Sequence, residues 1–134
     1  MTLTVKIISP GSTVLDAKAE EVILPSTTGQ LGILTNHAPL VTALDIGVLR
    51  YRQDRTWAAI ALTGGFAEIE DNEVTILVKS AQAGKDIDAE TARTELTAAE
   101  QKLASLKEDD KQGKIQAEQA VKTARARLQA TVPL

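Results

Sequence analysis

His37 is the only histidine among 134 residues, and there is no cysteine. A Ser–His or Cys–His pair needs a base within reach of a nucleophile, and no serine here lies in a Gly-x-Ser-x-Gly elbow. No glycine-rich loop closes on Gly-Lys-Ser or Gly-Lys-Thr, so the chain has no P-loop. Asp86, Asp88 and Glu90 have the alternating spacing of a calcium loop, but no glycine or distal glutamate follows at the required positions. Capping of a following helix accounts for them better. Gly64-Gly65 reads as a bulge or tight bend between strands rather than a phosphate cradle. The expectation is a non-catalytic chain with no cofactor and no metal, in which His37 is a structural or contact residue. Contact is better supplied than catalysis. Gly29-Gln30-Leu31-Gly32-Ile33-Leu34-Thr35-Asn36-His37-Ala38-Pro39-Leu40 sets two glycines, an Asn-His pair and a proline around short apolar runs. That predicts a rigid, shaped loop between strands, presenting backbone and small side chains to a partner.

Charge points the same way. The formal net charge is −3, yet residues 111–134 hold five Lys/Arg against one Asp/Glu, while residues 87–110 hold three against seven. A basic last segment on an acidic chain suits an acidic protein surface, a solvated helix face being the plainer alternative. Nucleic acid is disfavoured, because no aromatic platform accompanies the cations. No apolar run approaches the ~20 residues of a bilayer span. Met1-Thr2-Leu3-Thr4-Val5 enters strand-like alternation without a signal pattern, so the chain is expected to stay soluble on the side where it is made. The lack of cysteine permits a reducing compartment.

Two kinds of element must position these residues. Up to about Ser80 the pattern has period two: Leu3, Val5 and Ile7, then Val22 and Leu24, Leu40 to Leu44, Val48 to Arg52, Ala59 to Leu62, Phe66 to Glu70 and Val74 to Val78. Turn residues punctuate the runs, with Gln53-Asp54-Arg55-Thr56 as a hairpin tip, which predicts a β-sandwich or flattened barrel. After Gly84 the period changes. Asp88 suits an N-cap, and Ala89, Ala92, Leu96, Ala99, Leu103 and Leu106 recur at three and four. Lys107 through Gly113 reads as a polar loop, and Ala117, Val121, Ala124 and Leu128 form a second seam. The result is an antiparallel helical hairpin. Its seams offer four leucines and one valine, which predicts marginal stability and the ability to leave its dock.

The run from Gly29 to Leu40, then Gly47-Val48-Leu49-Arg50, Gly64-Gly65-Phe66-Ala67-Glu68-Ile69, Asn72-Glu73-Val74-Thr75-Ile76-Leu77 and Asp86-Ile87-Asp88, resembles the epsilon-subunit family of F-type ATP synthases. The resemblance covers essentially the whole chain in order and is nearest to the cyanobacterial and chloroplast branch. It implies a ten-stranded β-sandwich over 1–86 and a two-helix regulatory domain over 87–134. It further implies a rotor subunit that binds gamma and the c-ring and couples proton flow to ATP synthesis. The helices would restrain ATP hydrolysis by extending toward the alpha and beta subunits. The isolated chain would be a monomer, held peripherally at the thylakoid membrane, on its cytoplasmic or stromal side, through the complex.

Carried over residue by residue, the c-ring and gamma contact falls on Gly29, Gln30, Leu31 and Gly32, with His37 nearby. Gln30 stands where some relatives have a carboxylate. Lys122, Arg125 and Arg127 would be the inhibitory contacts. Some bacterial members bind ATP through an Ile/Leu-Asp-x-x-Arg-Ala motif and last-helix arginines. Here Ile87, Asp88 and Arg127 match it, but Thr91 and Thr123 replace two arginines. Two guanidiniums fewer for phosphate imply weak or absent ATP binding. The alternatives are an ATP-sensing module and an unrelated β-sandwich adaptor.

Overall fold

The computed structural model describes residues 2–132; Met1 of the opening run and the last two residues of the expected helical segment lie outside the described residues. Eight strands come first: β1 (Leu3–Ser9), β2 (Ser12–Ala19), β3 (Glu21–Ser26), β4 (Gly29–Ile33), β5 (Leu40–Gln53), β6 (Thr56–Glu70), β7 (Glu73–Val78) and β8 (Ala81–Ala83). A 3-10 turn, Gly84–Asp86, leads to α1 (Ala89–Ser105) and α2 (Lys111–Ala130). The hydrogen-bonded order is β2-β1-β7-β6-β5-β3-β4, with β8 pairing β6. The β1–β7 pair is parallel, and its neighbours in the sheet are antiparallel.

The β-sandwich followed by two helices matches the expectation, but among the described residues the strand count is eight rather than ten. Neither Asp45-Ile46-Gly47, which separates two of the expected runs, nor Gly64-Gly65 ends a strand: the ladder skips only the Asp45–Gly64 step, and its register does not shift. β5 and β6 hold a single register from Leu40↔Ile69 to Gln53↔Thr56. Gly64 and Gly65 are therefore a bend inside one strand, at φ 96° and 150°. A Cβ on Gly65 would collide with the Leu77 carbonyl. The bend divides the work of β6, whose first half pairs β8 (Ile60↔Ala83) and whose second half pairs β7 (Gly65↔Val78).

Alternation builds the core. Leu3, Val5, Ile7, Val22, Leu24, Ile33, Leu49, Leu62, Ile69, Val74 and Ile76 all point inward and form one buried cluster. With one face buried and the other free, each strand can carry contact residues on its outer side without loss of packing.

The hairpin turns sooner than the sequence suggests. Lys111 through Gly113 belong to α2, not to the loop, because Asp110 Oδ1 accepts the Gly113 N–H at 2.9 Å and caps the helix. α1 packs along α2, and α2 lies on the outer face of β5 and β6. There Ala126, Ala130 and Leu128 meet Ala59, Ala61, Ile46 and Val48, joined by Ile87 and Ala92. This second alanine stripe escaped the heptad reading. Its close fit shows at buried Gly84, where a Cβ would run into the Ala130 carbonyl.

Candidate functional site

The outward-facing residues of four strands fall in one row. Ile8 of β1 pairs Leu77 of β7, Leu77 pairs Phe66 of β6, and Phe66 pairs Ala43 of β5. Phe66 is 60% exposed and Leu77 52%; Val41, one step along β5 on the same face, is 69% exposed. A contiguous apolar band on a sheet's solvent side has the chemistry a docking surface needs, since desolvating it favours association. The band also floors a cleft with Ser9, Pro10 and Gly11.

The expected presenting loop is part strand and part loop. Gly29 through Ile33 form β4, the edge strand of a hairpin with β3, where Ser26↔Gly29 and Ile23↔Gly32 pair. The period-two signal was hidden there because two of the five positions are glycine. Gly29, Gln30 and Gly32 are exposed, and Leu31 is half-buried against the core. His37 lies in the true loop, residues 34–39. Its Nδ1 is 2.7 Å from the Ala38 carbonyl. A carbonyl only accepts, so Nδ1 carries the proton and Nε2 is left free.

The basic helix is held rather than free. Lys122 Nζ lies 3.6 Å from Asp45 Oδ2 on β5. Arg127 Nε lies 3.3 Å from Glu95 Oε2 on α1, without hydrogen-bond geometry, while its Nη1 donates to Gln82 Oε1 on β8. Arg125 is exposed and makes no ion pair among the described residues. The sequence reading passed over a fourth cation. Arg50 on β5 donates from Nη1 to the Val132 carbonyl at 2.9 Å and from Nη2 to the Gln129 carbonyl at 3.1 Å. It clasps the C-terminal end of α2, where backbone carbonyls lack helical partners and the dipole favours a cation.

The remaining residues of the partial nucleotide motif are dispersed. Ile87 is buried beneath α2. Asp88 is the N-cap position just before α1, and Thr91 Oγ1 donates to its Oδ2 at 2.6 Å. That hydroxyl outweighs the opposing desolvation and, aided by the nearby N–H groups of Glu90 and Thr91, holds the Asp88 carboxyl below its ordinary 3.8. Neither N–H closes a capping hydrogen bond by geometry. Thr123 and Arg127 line a small cleft with Thr63, Ser80 and Gln82, and Arg127 is the one cation in it. Among the described residues no group of histidine and carboxylate side chains could hold a metal ion, and no helix is long and apolar enough to cross a membrane.

A bent, open-faced sandwich with a helical hairpin clasped to its side is the architecture of a known class. The family model "ATP synthase, Delta/Epsilon chain, beta-sandwich domain" matches residues 2–84, and "ATP synthase, Delta/Epsilon chain, long alpha-helix domain" matches residues 85–131. The ATP synthase epsilon chain of Synechococcus elongatus is 62% identical over 97% of this chain and 95% of its own. That of Thermosynechococcus vestitus is 64% identical over the same shares. A chain in the Euglena gracilis mitochondrial ATP synthase (OSCP/F1/c-ring) superposes with a TM-score of 0.83 at 22% identity, covering 98% of this chain and 82% of that one. One in the central stalk/c-ring of Tetrahymena thermophila mitochondrial ATP synthase gives 0.62 at 17%, covering 98% of both. At those identities the structural likeness establishes the fold. The chain belongs to the ATP synthase delta/epsilon family, as a non-catalytic epsilon chain similar to those of cyanobacteria.

Proposed function

We propose that this chain is a central-stalk rotor subunit of a proton-translocating F-type ATP synthase. Its sandwich, residues 1–86, binds gamma and the c-ring and couples proton flow to ATP synthesis. Its hairpin, residues 87–134, restrains ATP hydrolysis when it leaves the sandwich and turns Lys122, Arg125 and Arg127 toward the alpha and beta subunits. The complex sits at the thylakoid membrane, with this chain peripheral on the cytoplasmic side. The observation that carries the reading is the outward apolar band of half-buried Ile8 and Ala43 with exposed Leu77 and Phe66, beside exposed Val41. It supports gamma as the occupant, with β4 (Gly29, Gln30, Leu31, Gly32) and His37 completing the contact with gamma and the c-ring.

The test has two arms. Phe66→Glu with Leu77→Glu removes apolar burial of about 1.5–3 kcal/mol per side chain, so affinity for purified gamma should fall more than tenfold while the sandwich stays folded. Unchanged affinity would overturn the docking reading. Deleting 88–134 should leave gamma binding intact and raise ATP hydrolysis by the reconstituted enzyme; an unaltered hydrolysis rate would remove the regulatory role. The ATP-sensing alternative is disfavoured by Thr91, whose hydroxyl serves Asp88 rather than a phosphate.

A further inference from the structure

Asn72 sits at the tip between β6 and β7. Both tip residues have positive φ, 52° at Asp71 and 63° at Asn72, the two-residue turn that matches strand twist and that asparagine and glycine tolerate. The turn explains the backbone of Asn72 but not its side chain. Asn72 Oδ1 accepts the backbone N–H of Asn36 at 2.6 Å, 36 residues away in sequence. The Asn72 carbonyl accepts the Thr4 N–H at 2.8 Å, so one residue ties together β1, the β6–β7 tip and the 34–39 loop.

Asn36 is the strained residue of that loop. It stands at φ 67°, inside a turn closed by the His37 N–H on the Leu34 carbonyl at 3.3 Å. The β5 ladder begins only at Leu40. Among the described residues, the Asn72–Asn36 bond is the only hydrogen bond tying the 34–39 backbone to another element. The choice of amide over carboxylate also has a local cause. Glu68, Glu70, Asp71 and Glu73 line one concavity at this end of the sheet, and a further anion would add repulsion.

We propose that Asn72 is a positioning residue for docking: it holds the 34–39 loop in one shape, so that His37 and Leu34 meet the partner preformed beside Val41. Ordering a loop on association costs affinity, and a loop ordered beforehand avoids that cost. The proposal rests on the docking reading above and adds to it a residue that need not touch the partner.

Asn72→Gly and Asn72→Asp separate the roles. Glycine suits the positive-φ turn but has no acceptor, so the sandwich should stay folded and lose no more than the few degrees of melting temperature that one net hydrogen bond is worth. The Asn36 amide should then exchange about fivefold faster, the worth of one net hydrogen bond. Affinity for purified gamma should fall by a similar factor. Aspartate keeps the turn and an acceptor oxygen, and at about 1 M salt, where the Debye length shrinks to ~3 Å and the repulsion from the neighbouring carboxylates is screened, it should restore both readouts. Unchanged Asn36 exchange in Asn72→Gly would overturn the tether itself. Equal loss of gamma affinity in both variants, with protection restored only in Asn72→Asp, would make Asn72 a direct contact and overturn the positioning role. If Asn72→Gly accelerates exchange without weakening gamma, the inference fails. In that case the Phe66→Glu, Leu77→Glu variant tells whether the docking reading falls with it.

Discussion

Replacing Arg50 by alanine should loosen the helical hairpin without touching the sandwich core. The Arg50 guanidinium makes two hydrogen bonds to the end of α2, at 2.9 and 3.1 Å, and both are solvent-accessible. A hydrogen bond to a charged group contributes about 1.5–3 kcal/mol when shielded, and a cation at a helix C-terminus ~0.3–1 kcal/mol. Water replaces much of this at an exposed site, which leaves about 1–2 kcal/mol for the clasp as a whole. The rest of the dock is modest. Its apolar contact is largely alanine, and the Lys122–Asp45 pair is half exposed on both sides, where such pairs contribute roughly 0–1 kcal/mol. Losing 1–2 kcal/mol should therefore raise the undocked population about 5–30-fold. Amide hydrogen exchange on the isolated chain reads this directly. Protection should drop through α2 and remain unchanged in β7. Arg50→Lys, which keeps charge but not the two-pronged fork, should fall between. If α2 protection in Arg50→Ala equals that of the unaltered chain, the clasp is ornamental and the dock rests on the alanine contact alone.

Two further outcomes follow from the start of α1 and the cleft beside α2. With Thr91 and Thr123 in place of guanidiniums and Arg127 engaged by Glu95 and Gln82, calorimetry on the isolated chain should show no sub-millimolar ATP binding; a tighter constant would refute the reading. Thr91→Val should move the Asp88 titration back up toward 3.8, followed by NMR, because the Thr91 hydroxyl is the largest cause of its depression. The sign is that of a lowered carboxylate. Its support for the helix start is present above the unfolded value and fades as pH falls below 3.8 through the folded one. An unmoved titration would show that the Thr91–Asp88 bond does not persist in solution.

The sandwich was legible because its inner face is written in period two, and residues such as Val74, Ile76 and Val78 can face the core only one way. The extent of the strands was not. Asp45-Ile46-Gly47 and Gly64-Gly65 read as breaks because glycine and aspartate signal turns locally. Yet β5 and β6 support each other across both sites, and the pairing partner lies outside any sequence window. The same limit hid β4, whose glycines carry no alternation of their own. In the helices the period was plain, but a heptad accounts for one seam. α2 has two, and the Ala126 and Ala130 stripe against β5 and β6 appears only when a second surface is known.

The site residues divide along the same line. Phe66 and Leu77 could have been found, since they are large and apolar on the outward phase of strands whose inward phase is already filled by Ala67, Ile69, Ile76 and Val78. An apolar residue that alternation turns to solvent marks a surface awaiting a partner. Arg50 and Asn72 could not, because their roles are relations between residues 36 to 82 positions apart. Each is a polar side chain answering a backbone group that secondary structure leaves open: helix-end carbonyls for Arg50, a loop N–H for Asn72. On the proposed reading, the docking face is built from what the sheet has in surplus, and the devices that fix the loop and park the tail from what its helices and turns lack. Function would then depend on the second kind as much as the first, since an apolar band would serve as a dock only while the loop beside it keeps its shape and the tail has somewhere to rest.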